Sequence, residues 1–332
     1  MFEFPVVCYL FLGGVGGGVC AVASGLALSV PARMLRGPVR REYRSLLGSA
    51  FALAAAVLVL GALCLIADGV RVEALEHLFF PSRPTLLSAG SWAITAGIVL
   101  SGVLAMWWRT GGFGALESSE GLGPAARLLR SVAVLRAMLV LGTLIGLAIV
   151  LYTGVFLASM SAVALWDTWW LPALFTVSAL SCGAVVVTAI ARISGTDRAF
   201  PGAMTALVRV DVAVIALEAV CAVGFVAAAL ADPSETSAAL SAQSSANDLI
   251  AGERAWLWWA CFVGCGIVAA AALDLAALVA RRRAYARGGQ RAVCRASVAN
   301  HAVPLAACVL VGAFALRLCV VAAGAHPVMS LL

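Results

Sequence analysis

Residues 131–158 read SVAVLRAMLVLGTLIGLAIVLYTGVFLA and carry one charged side chain, Arg136. A helix crossing a hydrocarbon layer of about 30 Å needs about 20 apolar residues, because each residue rises about 1.5 Å. The stretch therefore predicts a membrane-spanning helix. It lacks the apolar/polar alternation that a barrel strand would show, and lipid cannot satisfy an open backbone. Working outward, the same reading gives spans at 6–30, 46–67 and 86–108 before it, and at 169–192, 206–231, 255–280 and 296–323 after it. The chain is expected to be all-α and integral to a membrane, one domain over residues 1–332 with eight transmembrane helices, arranged as two four-helix bundles.

Composition supports this reading. Of the 332 residues, 63% are hydrophobic and 11% charged, against about 25% charged in a soluble domain. Such a chain cannot clothe a water-soluble globule. Every one of the 22 basic residues is Arg, which excludes a Schiff-base lysine and a P-loop lysine. The net charge of +6 is a topology signal, not a nucleic-acid signal. Arg33, Arg36, Arg40, Arg41 and Arg44 follow the first span, and Arg109, Arg127, Arg130 and Arg136 surround the loop after the third. Arg192, Arg198 and Arg209 flank the loop after the fifth, and Arg281, Arg282, Arg283, Arg287, Arg291 and Arg295 fill that after the seventh. The alternate loops hold only Arg71, Arg83 and Arg254. Basic loops stay in the cytoplasm, so both termini are expected to be extracytoplasmic.

Two extracytoplasmic segments stand out. Residues 67–85 contain Asp68, Arg71, Glu73, Glu76, His77 and Arg83. Residues 232–254 are Ser/Ala-rich and read as a solvated linker, or alternatively as a platform for an extracytoplasmic partner.

The redox groups a membrane protein might carry are poorly provided for. Iron–sulfur and zinc sites need several thiolates close together. The ten cysteines lie singly along apolar helices, apart from Cys261 and Cys265 on one face, and read as small packing residues. His77, His301 and His326 are the whole histidine set and do not place two imidazoles on facing helices for a haem. No haem, iron–sulfur cluster or metal is therefore expected in this chain. The glycines Gly13, Gly14, Gly16, Gly17 and Gly18 crowd the first span. They read as close helix packing, which can also border a cofactor groove.

Ionisable groups inside spans are costly and mark function. Arg317 and Glu218 are the foremost of these. Asp211 and Asp274, nearer the basic loops, fit interfacial pairing, and Glu218 with Asp211 is also a candidate proton route from the cytoplasm. Tyr152 falls late in the fourth span, where its phenol needs a partner.

Several stretches resemble one family. YLFLGGVGGG (Tyr9 to Gly18) is similar to the opening helix of the NrfD/polysulfide-reductase membrane subunit family. ADGVRVEALEHLFFPSRPTLLSAGSW (Ala67 to Trp92) resembles that family's outer loop, and reads Asp-Gly-Val-Arg where the family usually has Asp-Leu-Gly-Arg-Pro. LYTGVFLASMSAVALWDTWWLPALFTVSALSCG (Leu151 to Gly183) and ALRLCVVAAGAHP (Ala315 to Pro327) resemble its fourth-to-fifth helix region and its closing segment.

The resemblance implies a quinone site near the outer face, in the 1–160 bundle, with the quinone expected to be menaquinone. It implies partners too: an extracytoplasmic four-cluster iron–sulfur subunit and, through it, a molybdopterin catalytic subunit. Tyr152 matches the tyrosine of the Tyr-Thr-Gly motif that helps bind the head group; Asp68 matches the loop aspartate and Arg317 the last-helix arginine. Pro5 and Tyr9 stand roughly where some members place Asn and His contacts. The expected activity is oxidation of quinol by a subunit that is not catalytic alone, in a bacterial cytoplasmic membrane, and coupling to proton translocation is a further expectation. Tyr152 and Tyr9 would bind ring oxygens, Asp68 or His77 would take protons, and Arg317 would orient a carboxylate. A proton-coupled secondary transporter and a purely structural anchor without quinone are the alternatives.

Overall fold

The computed structural model describes residues 4–29, 39–67, 85–110, 132–160, 162–231, 236–295 and 301–324. In chain order the helices are α1 (Phe4–Ser29), α2 (Val39–Ala67), α3 (Leu86–Thr110), α4 (Val132–Ala158), α5 (Trp170–Ile193), α6 (Pro201–Leu230) and α7 (Ser237–Ala251). Then come α8, π-wound over Leu257–Ala269 and α-helical over Ala270–Arg295, and α9 (Ala302–Gly324). All but α7 are long and apolar enough to cross a membrane. The eight sequence-predicted spans each coincide with one of these helices; α2 and α8 run several residues further into arginine-rich sequence.

The helix ends define two faces. Arg44 donates from Nε to the carbonyl of Trp108 (3.1 Å) and from Nη2 to that of Arg109 (2.9 Å). It thereby satisfies carbonyls left open at the end of α3, and ties the start of α2 to that end. Tyr43 packs on Phe200 with ring centroids 3.8 Å apart, which brings the α5–α6 connection to the same, arginine-rich face. At the opposite face, which carries Phe4 and Gly324, the Trp166 indole donates to the Val320 carbonyl (3.1 Å). Trp92, Trp169, Trp170, Trp256 and Trp259 are exposed at helix ends on this terminal face, as tryptophans at a membrane–water boundary are.

α1 and α5 are the most buried spans and form the centre. α1 packs on α2, α4 and α5, while α5 also packs on α6 and α9. The crossing of α1 and α5 is set by glycine: a side chain at Gly18 would collide with the Ala179 carbonyl, and one at Gly183 with the Gly18 backbone. Gly17 and Gly146 meet similarly where α1 meets α4. Close backbone approach is how helices associate where no hydrophobic drive separates protein from lipid. The glycine run is thus a packing device, as the sequence suggested. Leu60, Leu63, Val99, Leu144 and Val223 point outward from α2, α3, α4 and α6, where lipid tails would cover them.

One stretch differs from the sequence reading. Residues 237–251, within the segment read as a solvated linker or a platform for a partner, form a helix, α7, whose first turn is capped by Thr236 Oγ1 accepting from the Ala239 amide (3.3 Å). Ala239, Ala242, Ala246 and Leu249 are buried at spacings of three and four, one face of a helix. Alanines supply most of that face, which left it hidden in a polar-looking stretch.

Candidate functional site

Tyr152 is carried one and a half turns from the end of α4, and Tyr9 a turn and a half into α1, so both lie in the third of the bundle nearest the terminal face. Tyr152 is 8% exposed and Tyr9 1%. The Tyr9 hydroxyl reaches the Tyr152 hydroxyl at 3.5 Å, the outer limit of a hydrogen bond. The Tyr152 ring lies directly against Gly90 of α3, where any side chain would strike it, and tilts against Phe156 with centroids 5.7 Å apart. The neighbouring Thr153 lies where a side chain at Gly13 would touch its methyl group, and it spends its hydroxyl on the Val150 carbonyl (2.8 Å). Two phenols that can each donate and accept are thus held in an apolar cluster, weakly satisfied by one another.

Arg317 is fully buried in α9, 0% exposed. Its Nε donates to the Leu10 carbonyl (3.3 Å) and its Nη1 to the Ala313 carbonyl (2.9 Å). Nη2 has no hydrogen-bond partner among the described residues. The guanidinium lies over Phe175 (5.1 Å) and Phe11 (5.9 Å). Gly14 makes room for it, since a Cβ there would come 2.6 Å from Nη2. Tyr9 and Gly13 share the α4 side of α1, whereas Leu10 and Gly14 face α9. Arg317 and the tyrosine pair therefore flank α1 from different sides.

On its other side Arg317 is within electrostatic range of Glu218 and Cys182. No ion pair within 4.0 Å joins Arg317 to Glu218 among the described residues. The Ser178 hydroxyl faces the Glu218 carboxyl without closing to a well-formed hydrogen bond. Deeper, Ser181 donates to Asp211 Oδ1 (2.8 Å), and the Asp211 carboxyl faces that of Asp274. Asp211 is 2% and Asp274 1% exposed. Their expected interfacial pairing is corrected here: what each faces is the other carboxyl, with Ser181 beside Asp211. Helix rotation, not distance from the basic loops, decides this. α6 turns Asp211 and Glu218, seven residues apart, to one interior side. The result is a buried polar column from Arg317 through Glu218 and Cys182 to Ser181, Asp211 and Asp274.

The structure thus brings Tyr9 to Tyr152 and sets Arg317 near Glu218. Asp68 and His77 lie outside the described residues. Ser181, Asp274, Gly90 and Gly14 complete the arrangement and were not singled out as site residues by sequence. Ser181 stands in the Leu151–Gly183 stretch without marking itself, and glycines that make room for a ring or a guanidinium carry no chemical signature. Among the described residues no three His, Cys, Asp or Glu side chains cluster as metal ligands do.

No individually curated protein matches the chain. Residues 1–328 match the family described as Polysulphide reductase, NrfD. With a match over essentially its whole length, eight membrane-length helices, and the glycine-lined first helix and buried last-helix arginine described above, the chain belongs to the polysulphide reductase, NrfD family, the membrane subunits of polysulfide-reductase-like complexes.

Proposed function

We propose that this chain is the membrane anchor and quinol-oxidising subunit of a molybdopterin oxidoreductase complex. It takes electrons from quinol, menaquinol in the first instance, and passes them to an iron–sulfur subunit docked on the terminal face. That face is extracytoplasmic in a bacterial cytoplasmic membrane, because the arginines crowd the other one. α1–α4 form the quinone-binding bundle and the remaining spans a second bundle beside it. The observation that carries the reading is the buried Tyr9–Tyr152 hydroxyl pair, 3.5 Å apart and near the face where the electrons must leave.

A quinol supplies two electrons and two protons. Its ring oxygens need hydrogen-bond partners, and its protons need an acceptor. The residues fit these needs. Tyr152 and Tyr9 offer hydroxyls that can accept from a quinol and donate to a quinone, since their mutual contact is long and easily exchanged. Arg317, with one N–H direction unspent, orients the Glu218 carboxyl. Asp68 or His77 takes protons on the outer side. Glu218 and Asp211, with Ser181 and Asp274, form a separate route that carries protons across from the arginine-rich face when turnover is coupled to translocation; the quinol's own two protons leave on the outer side. Placing a column of ionisable groups inside an apolar bundle costs free energy, and a proton route gives it a purpose.

Replacing Tyr152 by Phe tests the reading. Quinol-dependent turnover of the assembled complex should fall while electron delivery to the catalytic subunit from an artificial donor is unchanged; normal quinol turnover would remove the tyrosine's role. Co-purification separates the alternatives. Molybdenum- and cluster-containing partners with bound quinone support the proposal, the same partners without quinone leave a structural anchor, and an isolated solute-dependent carrier is a transporter.

A further inference from the structure

On the arginine-rich face a groove of about 780 Å³ opens between the start of α6 and the α-helical part of α8. Arg209, Arg281, Arg282 and Tyr285 line it together with Leu275 and Leu278. No Asp or Glu lines it among the described residues. On α8 the lining positions recur every three or four residues, so they form one stripe. The stripe is apolar at its deeper end and cationic towards the helix end. Leu275 and Val279 of its lining and the neighbouring Val210 are about half exposed, on helices long and apolar enough to cross a membrane. A groove with cations at the polar boundary and an apolar flank open to lipid has the polarity of a phospholipid.

We propose that this groove binds an anionic phospholipid, its phosphate held by Arg209, Arg281 and Arg282 and its acyl chains lying along Leu275, Leu278 and Val279. Arginine suits the task because its planar fork meets phosphate oxygens two at a time. Tyr285, 64% exposed, sits at the level of the head group, where an amphipathic ring is at home. A basic pocket between helix ends is a recognised way to select lipid head groups. Topological arginines alone need not converge on one cavity, as these do.

The test uses the protein, with any subunits that purify with it, stripped of lipid by detergent exchange. Dioleoyl phosphatidylglycerol, dioleoyl phosphatidylethanolamine and inorganic phosphate are then titrated separately, with bound species counted by native mass spectrometry. Phosphatidylglycerol should bind in preference to phosphatidylethanolamine. Each arginine removed should weaken it about five-fold, so Arg209→Gln with Arg282→Gln gives a loss of about 25-fold. Arg136→Gln, outside the groove, should change nothing. Leu278→Trp keeps every guanidinium but obstructs the apolar wall; it should also weaken binding, which keeps the test alive should the double variant fail to fold. Equal binding of the two lipids, equal loss in the Arg136 variant, or displacement of phosphatidylglycerol by millimolar phosphate would overturn the proposal, the last by showing a free-anion site.

Discussion

Replacing Arg317 by Met should leave the protein folded and silence it. The side chain is fully buried with two carbonyl acceptors and one N–H direction unpartnered. Both acceptors lie inside helices, where the backbone already uses them, so removing the guanidinium orphans neither. Hydrogen bonds to a charged group contribute about 1.5–3 kcal/mol each. Shared acceptors put these two at the low end, about 3 kcal/mol together. Against that stands about 2.5–3.5 kcal/mol for placing an Arg deep in a membrane helix. The two nearly cancel. The contacts with Phe175 and Phe11 are largely kept, because methionine sulfur also packs well on aromatic rings. The expected change in stability is therefore within about 2 kcal/mol, a shift in Tm of a few degrees. Quinol-dependent turnover of the complex should nonetheless drop at least about ten-fold, the equivalent of about 1.4 kcal/mol in the barrier. Thermal unfolding in detergent and quinol-driven reduction of the terminal acceptor measure the two quantities on one preparation. If Tm collapses by more than about 10 °C, or if turnover falls only in step with the folded fraction, Arg317 is a structural residue and the reasoning is wrong.

Other outcomes follow from the same geometry. Tyr152→Phe should lower quinol turnover about three- to ten-fold, the worth of one hydrogen bond of about 0.5–1.5 kcal/mol, with Tm unchanged because the Tyr9 contact is long. Steady-state kinetics and a melting curve on the same sample check both parts. Ser181→Ala removes the donor to Asp211 Oδ1; it should cost about 1–3 kcal/mol and slow proton uptake in energised vesicles, as Glu218→Gln also should. Unchanged uptake in both would dispose of the proton route. Gly18→Leu forces a side chain into the Ala179 carbonyl at the α1–α5 crossing, so overpacking of about 1–3 kcal/mol or more should appear as a lowered melting temperature and reduced yield of folded protein.

The spans were legible because a membrane imposes a long, simple signal: about 20 apolar residues with arginines sorted to alternate loops. The glycine run was legible for the same reason, since small residues in lipid have little to do but bring backbones together. What hydropathy cannot show is which way a helix face turns. Asp211 and Asp274 looked interfacial from their distance to basic loops, yet helix rotation points them at one another inside the bundle. Tyr9 and Tyr152 stand 143 residues apart, and only the packing of α1 on α4 brings them together. Nor can hydropathy show that Arg317 and Tyr152 approach α1 from different sides, at Gly14 and Leu10 for the arginine and at Tyr9 for the tyrosine. α7 escaped because alanine buries a face without raising hydropathy much. The π-winding of Leu257–Ala269 left no mark in the residues that form it.

In the proposed function, quinol gives up its electrons in this chain, at the tyrosine pair, to clusters held by a partner on the terminal face. Rapid mixing of the purified complex with a reduced menaquinone analogue, followed by spectroscopic detection of cluster reduction, tests it most directly. Clusters should be reduced within turnover time in the unmodified complex, and at least about three-fold more slowly when Tyr152 is Phe. Reduction at the same rate in both, or reduction that persists after the membrane chain is removed, would contradict the account.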